Sequence, residues 1–107
     1  MRGLAGRYPL DPFTVYCVGQ ALAIWVQERG GAKEVVIGTD TRESGTWISE
    51  LVAGGLKSQR VTARFAGLIP TPGLAHVAKA GPFAAGVMIS ASHNPYQDNG
   101  IKIIDHS

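Results

Sequence analysis

Two short runs with almost no polar side chain, EVVIGT (34–39) and AAGVMIS (84–90), constrain the fold of this chain most. Neither shows the in–out alternation of a half-wetted strand. Each therefore calls for cover on both faces, the situation of a strand in a parallel sheet between helical layers. Helical patterns stand around them. LDPFTVYCVGQALAIWVQERGG (10–31) reads as a first helix, with Asp11 suited to the N-cap and Pro12 to the first helical position, where its missing N–H costs nothing. Gly30 and Gly31 end it, and Arg29 sits favourably near the negative end of the helix dipole. Its apolar residues run nearly all the way round, which predicts cover on most sides. A second helix is expected from about Gly45 to Lys57, with Ser44 as N-cap and Trp47, Ile48, Leu51, Val52 and Leu56 on the inner face. A third, short one runs from Gly73 to Lys79. VTARFAGLI (61–69) supplies another strand and IKII (101–104) a last one, antiparallel to its predecessor because the Asn99-Gly100 dipeptide between them is a strong turn signal. The opening MRGLAG reads as a Gly-rich loop with no strand. The alternation of strands and helices predicts an α/β fold: one domain over residues 1–107, three-layered, with a mixed, mainly parallel sheet of about four strands flanked by helices.

Composition removes several function classes. The chain has 107 residues, 45% of them hydrophobic and 17% charged, which suits one globular domain rather than a disordered segment. Its ten Lys and Arg residues are scattered from Arg2 to Lys102 without the basic stripe of a nucleic-acid binder, so no nucleic-acid partner is expected despite a net charge of +2. The most apolar segment, VGQALAIWV, is far shorter than the ~20 residues of a membrane span, and no signal-peptide pattern is visible, so no membrane partner is expected. A single cysteine, Cys17, points to a reducing, cytoplasmic setting.

Polar residues concentrate in three loops that follow strands: GTDTRESG (38–45), PTPG (70–73) and SASHNPYQDNG (90–100). In open α/β sheets the ligand crevice lies at the C-terminal ends of strands, which makes all three candidate site elements, although PTPG reads better as a rigid turn. The third loop spends some ten polar positions where two would turn the chain. A Ser92–His93 hydrolase pair explains it poorly, because adjacent side chains diverge and no G-x-S-x-G elbow is present. A metal site from His93, Asp98 and His106 matches no ligand spacing. By residue type alone, a turn-rich loop whose Ser, Asn and Asp side chains cap their own backbone stands beside a chemical role.

ISASHNPYQDNGIK (89–102) resembles the active-site loop of the α-D-phosphohexomutases, Ser/Thr-Ala/Gly-Ser-His-Asn-Pro followed by Asn-Gly-x-Lys. VVIGTDTRESG resembles the same family's Gly-Arg-Asp-x-Arg-x-Ser-Gly segment, and GLIPTPGLA its Gly-x-x-Pro-Thr-Pro turn. The wording of the first is most similar to the bacterial phosphoglucosamine mutase branch.

The resemblance implies domain 1 of a four-domain enzyme, with the remaining domains 2–4 and a phosphosugar as partners. MRGLAG looks like the tail of a Gly-Thr-Asp-Gly-Ile/Leu-Arg-Gly opening whose leading strand is missing. Ser92 matches the family's phosphoserine, which would pass its phosphoryl group to a hexose monophosphate and take one back from the bisphosphate formed. Glucosamine 6-phosphate leads as the substrate implied, with phosphoglucomutase or phosphomannomutase activity, or a non-catalytic phosphate-binding module, as alternatives. Lys102 matches the Asn-Gly-x-Lys lysine that would neutralise charge or shuttle a proton, and His93 and Arg2 match groups near the phosphate. Asn94, Asp40 and Arg42 are the matching substrate-side residues. For Asp40 and Arg42 an ion pair tying the loop to the second helix is an equal reading, the more so because Thr39 replaces the family's arginine. Mg2+ is implied as cofactor, with the Ser92 phosphate as one ligand and the others on an Asp-Gly-Asp-x-Asp-Arg loop that this sequence lacks. His76 reads as a helix-surface residue.

Overall fold

In the computed structural model of the chain, which describes residues 1–91 and 97–105, the order is β1 (Arg2–Leu4), α1 (Pro12–Arg29), β2 (Glu34–Thr39), α2 (Ser44–Ser58), β3 (Thr62–Leu68), α3 (Thr71–Ala80), β4 (Ala85–Ile89) and β5 (Asp98–Asp105). The strands form one sheet in the order β1-β5-β4-β2-β3. β2 pairs in parallel with both β3 and β4, while β5 runs antiparallel to β4 and to β1. Among the described residues four of five strands thus share one direction, and the sheet is mixed and mainly parallel as expected.

The apolar runs explain the layers. Along β2 and β4 alternate residues point to opposite faces. Val35, Ile37, Val87 and Ile89, with Ile101 of β5, join Val15, Leu22, Val26, Ile48, Val52 and Leu56 of α1 and α2 in one core. Val36 and Met88 join Leu74 and Ala78 of α3 in a second core on the other face. Continuous burial of β4, from Ala85 to Ile89, is the outcome that AAGVMIS demanded.

Four expectations need correction. The sheet has five strands rather than about four, because residues 2–4 form β1, a three-residue strand held by pairing with β5. Asn99 and Gly100 are not the hairpin turn. They lie inside β5 opposite Gly3 and Arg2, since a third strand has to be accommodated at that edge. A Cβ on residue 100 would stand 2.7 Å from the Met1 carbonyl oxygen and 2.8 Å from that of Ser90, so glycine serves close backbone approach there. Ser44 is the first residue of α2 rather than its N-cap; Glu43 holds the cap position without a side-chain hydrogen bond. Finally, α1 is covered on one face only: Phe13 and Ile24 are exposed.

The N-cap of α1 is as the sequence predicts. The Thr14 amide donates to Asp11 Oδ2 (3.0 Å) and the Thr14 hydroxyl to Oδ1 (2.7 Å), and Gly30 caps the C-terminus. α3 begins at Thr71, two residues earlier than expected, with Pro72 in its first turn. Among the described residues no helix is long and apolar enough to cross a membrane.

Candidate functional site

Parallel pairing of β2, β3 and β4 brings the three polar connections that follow them to one end of the sheet. The Asp40 amide donates to the Ile89 carbonyl (3.3 Å) and the Ile69 amide to that of Thr39 (3.1 Å), so the connections leave the sheet side by side. The Ser90 amide donates to the Gly100 carbonyl (3.0 Å), which closes the base of the loop that runs from β4 to β5.

Two of the expected site residues meet this base from the β2–α2 side. Asp40 Oδ1 accepts the Arg42 amide (3.1 Å), an Asx turn that folds the connection back on itself. Asp40 Oδ2 pairs with Arg42 Nη1 (2.5 Å) and also accepts the Ser90 hydroxyl (2.8 Å). Arg42 Nη1 lies 3.4 Å from Ser90 Oγ, and the arginine side chain is only 8% exposed. A guanidinium so far from water is stable only beside its carboxylate, which makes the pair a fixed part of the wall. Asp40 and Arg42 therefore tie the β2–α2 connection to the β4 stem.

Arg2 and Lys102 converge from elsewhere. Arg2 stands opposite Gly100 in the β1–β5 register and Lys102 opposite Met88 in the β4–β5 register. Both are exposed, and both line a cavity of about 400 Å3 with Met1, Thr71, Met88 and Ser90. Thr71 opens α3, whose first turn has no acidic residue. Two cations beside a helix N-terminus make an electropositive basin suited to an anion such as a phosphate group. The PTPG segment, read as a mere turn, thus contributes a wall of the cavity through Thr71.

Ser92, His93 and Asn94 lie outside the described residues, as does His106. His76 is exposed on α3, in keeping with a surface role. Among the described residues no three His, Cys, Asp or Glu side chains gather as a metal would need. Mg2+ takes oxygen donors, whereas the cavity mouth carries Arg2 and Lys102, so these residues do not by themselves fit the ion.

Sequence reasoning missed the roles of Ser90 and Asn99. Ser90 is bonded to both partners of the Asp40–Arg42 pair. Asn99, fully buried, donates from Nδ2 to Ser44 Oγ (2.8 Å), while its Oδ1 accepts the Gly100 amide (2.9 Å). The signals in the sequence were a polar residue ending an otherwise apolar strand, at Ser90, and an Asn that is costly to bury unless bonded.

Residues 1–107 match the family model described as phosphoglucomutase/phosphomannomutase, alpha/beta/alpha domain I. The chain is 59% identical over its whole length to a phosphoglucosamine mutase of Solibacter usitatus and 50% identical over 96% of its length to one of Koribacter versatilis. It spans 24% and 22% of those two proteins, about a quarter. The crystal structure of a putative phosphomannomutase from Thermus thermophilus superposes with a TM-score of 0.89 at 32% identity. A phosphoglucomutase/phosphomannomutase family protein of Burkholderia thailandensis does so with 0.85 at 28% identity; each comparison covers 99% of this chain and 24% of the other.

Proposed function

Because the chain belongs to the phosphoglucomutase/phosphomannomutase family, as its α/β/α domain I, we propose that it is the phosphoserine domain of a hexose phosphate mutase, acting on glucosamine phosphate. One observation carries this reading. The stem residue Ser90 lies in the same cavity wall as Arg2 and Lys102, so two cations line the cavity at the foot of the loop that carries Ser92. The sugar is supported by the names of the relatives in Solibacter and Koribacter.

In this reaction a sugar hydroxyl oxygen forms a bond to the phosphorus on Ser92 as the P–Oγ bond breaks, and the hydroxyl proton passes to the serine oxygen. After the bisphosphate turns over, its other phosphoryl group returns to Ser92. Such transfers pass through a loose transition state, so the protein's task is positioning and charge neutralisation. A phosphoserine carries about −1.5 to −2 charges near neutral pH. Lys102 and Arg2 offset that charge, and Lys102 is the group suited to move the proton. His93 and Asn94 complete the loop, and Asp40 and Arg42 fix its stem. Mg2+ belongs to this reading with the Ser92 phosphate as its one ligand from these residues; no step here runs through it. The half-buried, unpaired Cys17 supports a reducing, cytoplasmic setting.

Incubation with glucose 1,6-bisphosphate followed by peptide mass spectrometry tests the assignment. Phosphate is expected on Ser92, absent in Ser92→Ala, and loading about a hundredfold slower in Lys102→Met, as for loss of a charge-stabilising group. Phosphate on Ser90, or undiminished loading in Ser92→Ala, would overturn it. In a coupled assay the 107-residue chain by itself is expected to show no turnover of glucosamine 6-phosphate, since it spans about a quarter of its relatives.

A further inference from the structure

The connection of residues 40–44 touches the loop that carries Ser92 at two separate places. At the outgoing stem, Ser90 is bonded to Asp40 and Arg42. At the returning stem, Asn99 is bonded to Ser44. Asp40 and Ser44 are four residues apart, and Ser90 and Asn99 nine apart. One short segment, itself folded by the Asp40 Asx turn and continued into α2, therefore grips both ends of a longer one.

We propose that residues 40–44 are a two-point clamp that positions the Ser92 loop, with Ser44, Asn99 and Ser90 as positioning residues for phosphoryl transfer. This rests on the phosphoserine reading above. The physical need is clear: reacting groups must be held within about 0.5 Å of productive geometry, and a misplacement of about 1 Å costs on the order of a hundredfold in rate. Such tolerance calls for anchors beside the sheet pairing of the stems, and the bonds from residues 40–44 to Ser90 and Asn99 supply two. Each grip also has a reason to persist. The Asp40–Arg42 pair is desolvated on the arginine side, and leaving the buried Asn99 amide unbonded would be costly. The clamp gives the polar DTRES segment a role beside the serine loop, since Asp40, Arg42 and Ser44 are bonded to its two stems.

The test uses the intact polypeptide that carries these residues, with Ser44→Ala and Ser90→Ala, and with Ser44→Thr and Ser90→Thr as variants that keep the hydroxyl. Two quantities are measured: amide hydrogen exchange across residues 91–98, and the rate of Ser92 loading from glucose 1,6-bisphosphate. Removing one hydrogen bond of this kind is expected to speed exchange in the loop and to slow loading, each by up to about tenfold. Exchange in β2 and β4 should stay unchanged, and the Thr variants should remain near wild type. Loop exchange at the wild-type rate in both Ala variants, or a rise spread evenly over the sheet, overturns the clamp. If wild-type Ser92 does not load, the phosphoserine reading falls, and the exchange data alone decide whether the two grips hold the loop. The two Ala variants act at different stems, so misfolding of one leaves the other to decide.

Discussion

Asp11 fastens the start of α1 with both carboxylate oxygens, and the bonds it accepts depend on its charge. The Thr14 hydroxyl, then the Thr14 amide, hold its carboxyl below the ordinary value of 3.8. A lowered folded value means stability that is fully present above the unfolded pKa and is lost as pH falls through the folded one. Asp11→Ala is therefore expected to lower the thermal midpoint by several degrees at pH 7. Asp11→Asn, which keeps an acceptor but cannot titrate, is expected to lose less on acidification below 3.8 than wild type does; equal acid dependence in thermal melts would count against the assignment. Residue-scale features of this kind were legible because all the partners lie within four positions. Ser44 was not. Its hydroxyl is used by Asn99, 55 residues away, and the turn of Gly45 onto the Arg42 carbonyl starts α2 around it.

Between α1 and α2 the backbones themselves touch. A Cβ on Gly55 would stand 2.7 Å from the Gln20 amide nitrogen and meet the Tyr16 carbonyl, while a Cβ on the adjacent Gly54 would find only the Tyr16 ring, at 3.4 Å. Two neighbouring glycines of one helix should then respond oppositely to the same change. Gly54→Ala gains helix propensity and is expected to stabilise by about 0.5–1 kcal/mol. Gly55→Ala forces the helices apart and is expected to destabilise by about 1–3 kcal/mol. Urea titrations of the two variants check the pair, and a shared sign would refute the crossing geometry. Elements with a strong period or a continuous apolar run were readable from sequence: α1, α2, β2 and β4 fall within a residue or two of expectation. β1 was not, because three residues carry no period and owe their conformation to β5. The Asn99-Gly100 turn signal failed for a related reason, since a local preference gave way to pairing on both sides of β5. For the site, motif residues at strand ends were legible, whereas the contacts that link one loop to another depend on sheet order and were not.

At the scale of the whole molecule, the two edges of the sheet differ. β1 at one edge is three residues long, too short to recruit a partner. β3 at the other is seven residues long and pairs only with β2 among the described residues. Its side chains are poorly covered: Phe65 is 59% and Leu68 70% exposed. Ala66 adds a residue to the register between Phe65 and Gly67, and Gly67 takes up the resulting bulge at φ +75°. A bulge and the Arg64–Glu34 ion pair blunt the edge in part. The bulge lies toward the C-terminal half of β3, so Thr62 to Phe65 remain a regular stretch whose outer side is open to a further strand. This surface is expected to drive concentration-dependent self-association of the 107-residue chain. In sedimentation velocity, Phe65→Lys together with Leu68→Lys should remain monomeric over a concentration series in which wild type forms larger species. Because both side chains are mostly in water, the double change should alter stability by no more than about 0.5 kcal/mol per site. Wild type that stays monomeric throughout, or a double variant that associates equally, would place the association-prone surface elsewhere.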